Sequence, residues 1–267
     1  MIEAAGRERI IFDSLLEKGA ISVADLSRDL SVSEVTIRTD LKNMEKQGLL
    51  SRVHGGAVPT IHPDIMERQN LRLEEKQNIA RAAAALVRNG DTIMIEAGTT
   101  PALVCRYLGG KRDVHVITNS VLAFNAAKIN AGLRIILCGG EFRRSTESFV
   151  GPIAIETIRR FNVSVAFVGT DGFDARHGIT TDLIEGGEII KVMKERAGRL
   201  IVLADSTKFN RAGPVTIMPL SAADGIITDA QISPQAAEQM KEDSGILHLD
   251  EERDQAVTRY WFQIRRD

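Results

Sequence analysis

The sequence predicts an α/β protein with a small helical unit at its N-terminus and a larger unit built on a mostly parallel sheet flanked by helices. Up to residue 57 the chain shows three short helical patterns and a Gly-Gly turn. Beyond that point, β-branched apolar runs alternate with amphipathic helical patterns, which is typical of parallel strands joined by crossover helices. Between Ala57 and Met66 the segment VPTIHPDI has two prolines and no usable period, which indicates a linker.

The composition excludes several classes of protein. Hydrophobic residues make up 43% and charged residues 26% of the 267, and no run approaches the ~18 apolar residues of a membrane span. The charged N-terminus does not resemble a signal peptide, and the two distant cysteines fit a reducing compartment. We therefore expect a cytoplasmic protein without membrane contact. The five scattered histidines offer no metal-ligand spacing, so we expect no metal and no cofactor.

Residues 1–57 predict a helix-turn-helix. Ser22 is a candidate N-cap of a second helix, and Ser33 is a candidate N-cap of a third helix that follows after a two-residue turn. Two short helices joined by so tight a turn are typical of a helix-turn-helix. The third helix has apolar residues at i, i+4 and i+7 that define its buried face, namely Ile37, Leu41 and Met44.

The opposite face of this third helix carries hydrogen-bonding and cationic groups, which are the groups that contact phosphates and base edges. They are Thr36, Arg38, Thr39 and Lys42. A strand pattern over Leu50–Val53 then leads into His54-Gly55-Gly56, a turn that can bring a two-stranded wing close to a DNA backbone. On spacing alone, a solvated polar face followed by an ordinary hairpin is the alternative. The net charge of -2 excludes binding by bulk charge but not by a local basic face.

The stretch that begins at Ser31, SVSEVTIRTDLKNMEKQGLLSRVHGGA, resembles the winged helix-turn-helix of the DeoR family of bacterial transcriptional regulators. The resemblance is carried by Ser33-x-x-Thr36-Ile37-Arg38-x-Asp40-Leu41 and by Arg52-x-His54-Gly55-Gly56-Ala57. Thr39 departs from the family pattern, in which a second basic or amide residue is common. The resemblance implies double-stranded operator DNA as a partner. The candidate DNA-binding residues are Ser22, Ser33, Glu34, Thr36, Arg38, Thr39, Lys42, Arg52, His54 and Gly55.

The larger unit predicts seven strands, most of them separated by helices. A helical pattern over Leu71–Val87 precedes them. The strand patterns cover Thr92–Glu96, Val114–Thr118, Arg134–Cys138, Val163–Val168, Leu200–Ala204, Gly225–Thr228 and Ile246–Leu249. The later helical patterns cover Val121–Asn130, Ile153–Phe161, Ile189–Ala197 and Pro234–Asp243.

Five of these strands end in segments that share glycines and hydroxylated residues, with a few carboxylates and one lysine. The segments are Gly98-Thr99-Thr100, Thr118-Asn119-Ser120, Gly139-Gly140, Gly169-Thr170-Asp171-Gly172 and Asp205-Ser206-Thr207-Lys208. Because ligands of open α/β sheets bind beyond the carboxyl ends of the strands, we expect a polyhydroxylated, phosphorylated small ligand there rather than purely structural turns. The motifs of nucleotide-binding glycine loops are missing from the sequence.

Several residues near these segments suit a phosphate. Thr100-Pro101 is predicted to be the N-cap and first residue of a helix whose N–H groups face the ligand. The candidate cations are Arg143, Arg144 and Lys208, although each also fits a solvated surface charge.

These segments again resemble the DeoR family, whose effector domain is related to the ribose-5-phosphate isomerase and glucosamine-6-phosphate deaminase fold. The resemblance spans roughly Glu74 to Leu249 and implies a phosphorylated sugar as the effector. The candidate effector-binding residues are Gly98, Thr99, Thr100, Thr118, Asn119, Gly139, Gly140, Arg143, Asp171, Gly172 and Lys208.

A sugar isomerase of this fold needs a positioned base, for which Asp171 is the candidate. The related isomerases read Gly-Ala-Asp-Glu at this loop, whereas Gly172 replaces the glutamate here. We therefore expect no catalytic residues and no enzyme. The alternative functions are a sugar-phosphate isomerase or deaminase with an accessory helical domain, and a metabolite-binding protein whose helical unit contacts another protein.

The leading prediction is a transcriptional regulator, most simply a repressor of a carbohydrate-metabolism operon, whose operator affinity changes when a sugar phosphate binds. We expect a DNA-binding domain over 1–57, a linker and the start of a connecting helix over 58–73, an effector domain over 74–249 and a tail over 250–267. One recognition helix reads few base pairs, so we expect a dimer or tetramer. The tail holds Tyr260, Trp261 and Phe262, which would form a subunit contact or pack onto the sheet.

Overall fold

The computed structural model describes residues 3–46, 49–233, 235, 246–254 and 257–264. The chain folds into two compact units. The N-terminal unit comprises Met1–Leu71 together with Arg144–Thr146, and the C-terminal unit comprises Arg72–Arg143 and Glu147–Asp267. Within the described ranges, no helix is both long and apolar enough to cross a membrane.

The N-terminal unit contains a helix-turn-helix and a three-stranded antiparallel sheet. Its elements are α1 (Ala4–Lys18), β1 (Ile21–Ser22), α2 (Val23–Leu30), α3 (Glu34–Lys46), β2 (Leu50–Val53), β3 (Gly56–Pro59) and α4 (Pro63–Asn70). Strand β3 lies between β1 and β2 and is antiparallel to both. The predicted buried face of the third helix is confirmed, because Ile37, Leu41 and Met44 are buried. They share one apolar core with Ile11 and Leu15 of α1.

Short polar side chains set the ends of the two helices of this motif. The Ser22 Oγ accepts a hydrogen bond from the Asp25 N–H at 3.3 Å, and the Ser33 Oγ accepts one from the Thr36 N–H at 3.1 Å. Both serines are therefore N-caps, as the sequence predicts. Between the helices, Ser31 takes a left-handed conformation with a φ of 53° and ends α2.

The segment expected to be a linker contains a helix. Helix α4 occupies residues 63–70, and the last residues of β3 precede it. The His62 side chain accepts a hydrogen bond from the Asp64 N–H, and Pro63 takes the first helical position. Proline is favourable there because a helix leaves that N–H unbonded in any case. Helix α4 therefore lies within the segment 58–73 that was predicted to contain a linker and the start of a connecting helix.

An eight-stranded sheet forms the centre of the C-terminal unit. Its helices are α5 (Leu73–Ala85), α6 (Thr99–Val104), α7 (Val121–Ala127), α8 (Pro152–Arg159) and α9 (Ile184–Arg196). Its strands are β4 (Thr92–Ile95), β5 (Val114–Thr118), β6 (Leu133–Leu137), β7 (Glu141–Arg143), β8 (Ser148–Val150), β9 (Val165–Val168), β10 (Gly172–Asp174), β11 (Gly178–Thr181), β12 (Leu200–Leu203), β13 (Val215–Met218), β14 (Gly225–Asp229), β15 (Ile246–Asp254) and β16 (Val257–Ile264).

The strand order confirms the predicted parallel sheet. The order is β15-β16-β14-β12-β9-β4-β5-β6, and the six strands from β14 to β6 are parallel to one another. All seven predicted strands belong to this sheet. The carboxyl ends of its parallel strands therefore meet at one edge, which is where the predicted ligand segments begin.

The C-terminal segment extends the sheet rather than leaving it. Strand β16 is antiparallel to β14, and β15 is antiparallel to β16. The predicted strand over Ile246–Leu249 continues to Asp254, and Trp261 is paired with Ile227. Much of the segment 250–267, expected to be a tail, is thus sheet. The predicted helix over 234–243 lies outside the described residues except at position 235.

The sequence patterns do not predict two small antiparallel additions. Strands β7 and β8 form a hairpin, and β10, β11 and β13 form a three-stranded sheet. Each of these strands has only three or four residues, which is too short for an alternating pattern to be recognised. Strands β7 and β8 follow β6, β10 and β11 follow β9, and β13 follows β12, so each addition begins at or after the end of a segment predicted to bind a ligand.

Candidate functional site

The exposed face of α3 carries most of the candidate DNA-binding residues. Arg38, Thr39 and Lys42 are exposed, and Thr36 is half-buried. The opposite face packs into the core that α3 shares with α1. In known complexes the second helix of a helix-turn-helix enters the major groove, with its first residues at the base edges. The face of α3 has the exposure that this role requires.

The cations on this face differ in how they are held. The Arg38 Nη2 lies 3.0 Å from the Glu34 Oε2, and both side chains are about half exposed. Lys42 forms no ion pair with any described residue. An exposed pair within one helix contributes little to stability, so its arginine can exchange the carboxylate for a phosphate or a base.

The predicted wing is a hairpin whose first strand is fixed to α3. The Arg52 Nε lies 2.8 Å from the Glu45 Oε2, and the Arg52 backbone N–H donates to the Glu45 Oε1 at 3.0 Å. These two hydrogen bonds lower the pKa of the Glu45 carboxyl. His54 and Gly55 form the exposed tip, where Gly55 takes a φ of 75° that favours glycine. The pairing between Arg52 and Glu45 therefore links the wing to α3.

Two further candidate DNA-binding residues already have structural roles. Ser22 and Ser33 accept the capping hydrogen bonds of α2 and α3, and the Ser33 hydroxyl also lies 2.9 Å from the Thr36 hydroxyl. A hydroxyl that accepts a capping bond still has a proton to donate, so contact with a phosphate stays a prediction for both serines.

In the C-terminal unit, the end of β4 lies against the end of β9. The buried Glu96 carboxylate accepts a hydrogen bond from the Gly169 N–H at 3.1 Å. A Cβ built at Gly98 would lie 3.0 Å from Pro101, and one at Gly169 would lie 3.6 Å from the same ring. The predicted segments that begin at Gly98 and Gly169 are therefore neighbours. The sequence pattern places Glu96 in a strand but does not assign it to the site. Its position as a carboxylate at the end of an apolar strand could have indicated a role there.

Helix α6 begins two residues earlier than predicted. It starts at Thr99, Gly98 is its N-cap, and Pro101 takes its third position. The first N–H groups of a helix have no intrahelical partner, so a proline is tolerated at this position as well. The assignment of Thr100 as N-cap and Pro101 as first residue is therefore wrong. Thr99 and Thr100 are both buried.

The end of β5 presents a buried acceptor without a partner. The Thr118 hydroxyl is satisfied, because it donates to the Ile95 carbonyl at 2.6 Å and accepts from the Ser120 N–H at 3.0 Å. The Asn119 Nδ2 donates to the Phe149 carbonyl at 3.0 Å. The Asn119 Oδ1 is buried and has no hydrogen-bond partner within the described structure. Such an atom is rare in proteins unless water or a ligand satisfies it.

Two of the candidate glycines are explained by close packing. A Cβ at Gly140 would lie 2.6 Å from the Val150 carbonyl oxygen, and a Cβ at Gly172 would lie 2.3 Å from the Arg211 carbonyl oxygen. A Cβ at Gly139 would meet nothing within 4 Å. The packing thus excludes side chains at Gly140 and Gly172, whereas it leaves space beside Gly139.

The structure holds Asp171 and Arg143 through neighbouring elements. The Asp171 Oδ2 accepts hydrogen bonds from the Thr181 hydroxyl at 3.1 Å and from the Asp182 N–H at 3.0 Å. Arg143 forms an ion pair with Glu185 of α9. Both charged groups therefore have hydrogen-bond or ion-pair partners within the protein.

Lys208 differs from the other candidate cations. It ends a short 3-10 turn over Ser206–Lys208 that follows β12, and the Asp205 carboxylate accepts from the Thr207 N–H at 3.1 Å to cap this turn. Lys208 is half-buried and forms no ion pair with any residue that the structure describes. Its charge is thus available to an anion. Arg144 belongs to the N-terminal unit.

Arg72 joins the ends of two strands, and the sequence patterns miss it. Its guanidinium lies 3.3 Å from the Asp229 Oδ2, 3.5 Å from the Asp205 Oδ1 and 3.3 Å from the Glu75 Oε1. It also donates to the Ser206 hydroxyl at 3.3 Å. Asp229 ends β14, so the expectation that ligands bind beyond the carboxyl ends of parallel strands also applies to this strand end. Nothing local in the sequence pairs Arg72 with it.

Neither cysteine is arranged for chemistry. Burial raises the pKa of the Cys105 thiol to about 12 and that of the Cys138 thiol to about 11. Both thiols therefore stay protonated at neutral pH. No group of three or more His, Cys, Asp or Glu residues that could hold a metal ion occurs in the described ranges.

Comparison with known proteins accounts for both units. Residues 7–60 match the family model of the DeoR-like helix-turn-helix domain, and residues 71–230 match the model of the DeoR C terminal sensor domain. This chain belongs to the DeoR family. As a DeoR-family member it is a DNA-binding transcriptional regulator, and its C-terminal unit is a sensor domain.

Two relatives of this DeoR-family chain are repressors. It is 34% identical to the lactose phosphotransferase system repressor of Lactococcus lactis subsp. lactis. The aligned 247 residues cover 90% of this chain and 96% of that protein. It is 29% identical to the glycerol-3-phosphate regulon repressor of Escherichia coli (strain K12). The aligned 227 residues cover 84% of this chain and 90% of that protein. A solved D-ribose-5-phosphate isomerase matches 72% of this chain and 78% of its own, with 17% identity and a TM-score of 0.39.

The family assignment confirms the predicted resemblance and the predicted order of a winged helix-turn-helix unit and an α/β unit. It does not identify the atoms that contact DNA or effector. The candidate residues described above therefore stay predictions.

Proposed function

We propose that this DeoR-family protein represses a carbohydrate-metabolism operon, and that a phosphorylated sugar bound by the C-terminal unit changes its affinity for operator DNA. The two relatives named above are repressors of a lactose phosphotransferase system and of a glycerol-3-phosphate regulon. The observation that carries the effector half is a buried acceptor without a partner, the Asn119 Oδ1, and a lysine without an ion pair among the described residues, Lys208, which both follow strands at the carboxyl edge of the sheet. The Asn119 Oδ1 can accept from a sugar hydroxyl, and Lys208 can bind a phosphate.

We assign the remaining effector contacts by their chemistry. The N–H groups of Gly98, Thr99 and Thr100 and the Arg143 guanidinium would contact the phosphate, since both are donors. Asp171 and the space beside Gly139 would contact sugar hydroxyls. The effector-side candidates Thr118, Gly140 and Gly172 support the site through hydrogen bonding and packing within the protein.

On the N-terminal unit, we assign base and phosphate contacts to the exposed face of α3 and to the wing. Thr36, Arg38, Thr39 and Lys42 would lie at the major groove, with Ser22, Ser33 and Glu34 at its edge. Arg52, His54 and Gly55 would contact the phosphate backbone. Because one such helix reads few base pairs, we propose a dimer or tetramer that reads two half-sites. Because the proposed partner is operator DNA, we propose that the protein is cytoplasmic.

We propose further that the protein is not an enzyme. The related isomerases carry a glutamate after the loop aspartate, and here that position is Gly172. The Arg211 carbonyl oxygen would lie 2.3 Å from any Cβ at Gly172, so the backbone of this protein has no room for that glutamate. The Asp171 Oδ2 is already an acceptor for Thr181 and Asp182. The acid-base pair that isomerisation needs is therefore incomplete.

A ligand screen tests this proposal. Thermal shift would be measured with ribose 5-phosphate, glucose 6-phosphate, galactosamine 6-phosphate, fructose 1-phosphate and glycerol 3-phosphate. Operator DNA would be selected from a random duplex library, and its affinity measured by fluorescence anisotropy with each compound. We expect at least one compound to raise the melting temperature and to change operator affinity at least fivefold, the lower end of typical allosteric coupling.

Two results would contradict the proposal. A protein that selects an operator but responds to no sugar phosphate does not sense this ligand class. Turnover of ribose 5-phosphate or deamination of an amino-sugar phosphate, abolished by Asp171→Asn, would establish the enzyme alternative instead.

A further inference from the structure

The recognition helix carries an exposed aliphatic side chain at its start. Val35 is the second residue of α3, and 74% of it is exposed, against 39% for Ile10 and 49% for Val53 in the same unit. A valine of this exposure gains nothing from the protein core. Val35, Arg38, Thr39 and Lys42 follow the spacing i, i+3, i+4 and i+7, so they share one face of the helix.

Thr39, one turn after Val35, contributes less polarity to the helix surface than a threonine usually does. Its hydroxyl donates to the Val35 carbonyl oxygen at 2.9 Å, one turn earlier in the helix. The hydroxyl proton of Thr39 is therefore bonded within the helix. The γ-methyl group of this exposed side chain makes no hydrogen bond and is available for an apolar contact. Val35 and Thr39 together present aliphatic carbon between the cations of α3.

The charges around these two residues indicate a DNA groove as the occupant. Arg38 and Lys42 share the face, and Arg38 is paired only with Glu34 of the same exposed surface among the residues described. A protein partner that buried this apolar spot would need a matching anion for each cation, whereas any DNA duplex presents rows of phosphates to them. The major groove also contains one apolar group, the C5-methyl of thymine.

We infer that Val35, with the methyl group of Thr39, contacts a thymine C5-methyl group in the operator and thereby selects thymine at that position. The first residues of a recognition helix lie at the base edges, and Val35 is the second residue of α3. The inference rests on the proposed role of the α3 face in reading DNA. It names a specificity residue that the sequence motif does not contain.

The experiment compares thymine with uracil. The operator is selected from a random duplex library, and each thymine is then replaced singly by 2′-deoxyuridine, which lacks only the C5-methyl group. Operator affinity is measured for the wild type and for Val35→Ala on each duplex. Val35→Ala is expected to fold normally, because it changes an exposed position and alanine favours a helix. Ile153→Ala is the matched control, since Ile153 is 67% exposed in the C-terminal unit.

We expect one thymine of each half-site to respond. Replacing it by deoxyuridine should weaken wild-type binding about fourfold, the effect of removing one buried methyl group. The same replacement should weaken Val35→Ala binding about twofold at most, because only the methyl group of Thr39 remains in contact, and Ile153→Ala should behave as the wild type does. Val35→Ala should also tolerate other bases at that position, because it no longer selects thymine.

Two kinds of result overturn the inference. The inference fails if the selected operator contains no thymine opposite α3, or if every deoxyuridine substitution affects the wild type and Val35→Ala equally. Lys42→Ala separates this failure from failure of the proposed DNA-reading face. Suppose that Lys42→Ala weakens binding while Val35→Ala responds to deoxyuridine as the wild type does. That result would support the α3 face as the DNA-reading surface and would exclude Val35 as a specificity residue. If neither variant changes binding, both proposals fall.

Discussion

The ion pair on the α3 face of the N-terminal unit is exposed, whereas the charged cluster around Arg72 in the C-terminal unit is largely buried and has several partners. Arg38 and Glu34 are each about half exposed. Arg72 is 19% exposed at its side chain, and the Asp229 side chain that it contacts is 4% exposed. Exposed pairs are weak and screened by salt, whereas buried charges are costly to separate.

This difference matches the two kinds of ligand. DNA offers a long row of phosphates, so flexible exposed cations can exchange one partner for another, and the affinity falls steeply with salt. A small effector must be recognised by a few atoms in fixed positions, so its site benefits from groups that the protein holds in advance. The following predictions test whether the two units differ in this way, from the largest effect to the smallest.

Arg72→Ala should destabilise the C-terminal unit strongly. Without the guanidinium, the buried carboxylates of Asp205 and Asp229 lose the cation that they share. Breaking a buried ion pair on one side costs about 3–5 kcal/mol, and we expect the lower end of that range because Arg72 is partly exposed. Urea unfolding would measure the free energy of unfolding. The control is Arg88→Ala, an exposed arginine, which should cost less than about 0.5 kcal/mol. A loss below 1 kcal/mol for Arg72→Ala would show that the cluster is no more than a surface network.

Lys208→Ala should weaken the effector response and leave operator binding in the absence of effector intact. A hydrogen bond to a charged group contributes about 1.5–3 kcal/mol, so roughly 10- to 100-fold more effector should be needed for a half-maximal response. Anisotropy with labelled operator, titrated with the sugar phosphate found in the screen, measures this concentration. Lys191→Ala is the control, since Lys191 is paired with Glu188 on an exposed surface. A Lys208→Ala protein that responds at wild-type concentrations would remove Lys208 from the site.

Arg38→Ala should weaken operator binding through an exposed contact. Loss of a base contact costs about 1–3 kcal/mol of specific binding, whereas loss of a phosphate contact mainly reduces the salt slope by about 1. Operator affinity would be measured between 50 and 300 mM salt. Arg28→Ala is a close control, because Arg28 is also exposed and also paired with an acid of its own helix, Asp25. The α3 face would be excluded if both the affinity and the slope of Arg38→Ala equalled those of the wild type.

The pairing between Arg52 and Glu45 should give a small pH dependence to the stability of the N-terminal unit. Its hydrogen bonds lower the pKa of Glu45 in the folded state below the ordinary value of 4.5. A lowered folded pKa adds stability that is present above the unfolded value and is lost as the pH falls through the folded pKa.

The melting temperatures of the wild type and Glu45→Gln should therefore differ at pH 7 and converge below pH 4. Calorimetry of both proteins over this range would show the convergence. Glu17→Gln, which replaces an exposed glutamate of α1, should show no such change in its difference from the wild type. A constant offset for Glu45→Gln at every pH would rule out the pairing as its cause.

The parts of the fold that the sequence predicted are those governed by neighbours in the chain. The buried face of α3 follows from Ile37, Leu41 and Met44, which lie one turn or two apart. The caps at Ser22 and Ser33 depend on residues three positions later. The parallel strands were found because buried strands are continuous apolar runs.

The parts that the sequence missed depend on contacts between distant residues. The Arg72 contact with Asp229 spans 157 positions, and the Arg143 contact with Glu185 spans 42. The start of α6 was misplaced because a proline fits several positions of a first helical turn. The unsatisfied Asn119 Oδ1 could not be predicted either, since only the folded chain shows which acceptors lack donors.

The sequence by itself determined the family, the two units and the uneven charge of the N-terminal unit. Residues 1–35 contain four Lys and Arg against seven Asp and Glu, whereas residues 36–57 contain four against two, so the positive charge lies on the third helix and the wing. These properties depend on composition and local order along the chain.

Only the tertiary structure decided which charged side chains are paired between elements. Arg52 of β2 is bound to Glu45 of α3, whereas Lys42 and Lys208 have no ion pair within the described residues. The reason is that an ion pair requires two side chains within 4 Å, and folding alone brings most such pairs together. The tertiary structure also showed that backbone packing at Gly172 leaves no room for the glutamate of the related isomerases.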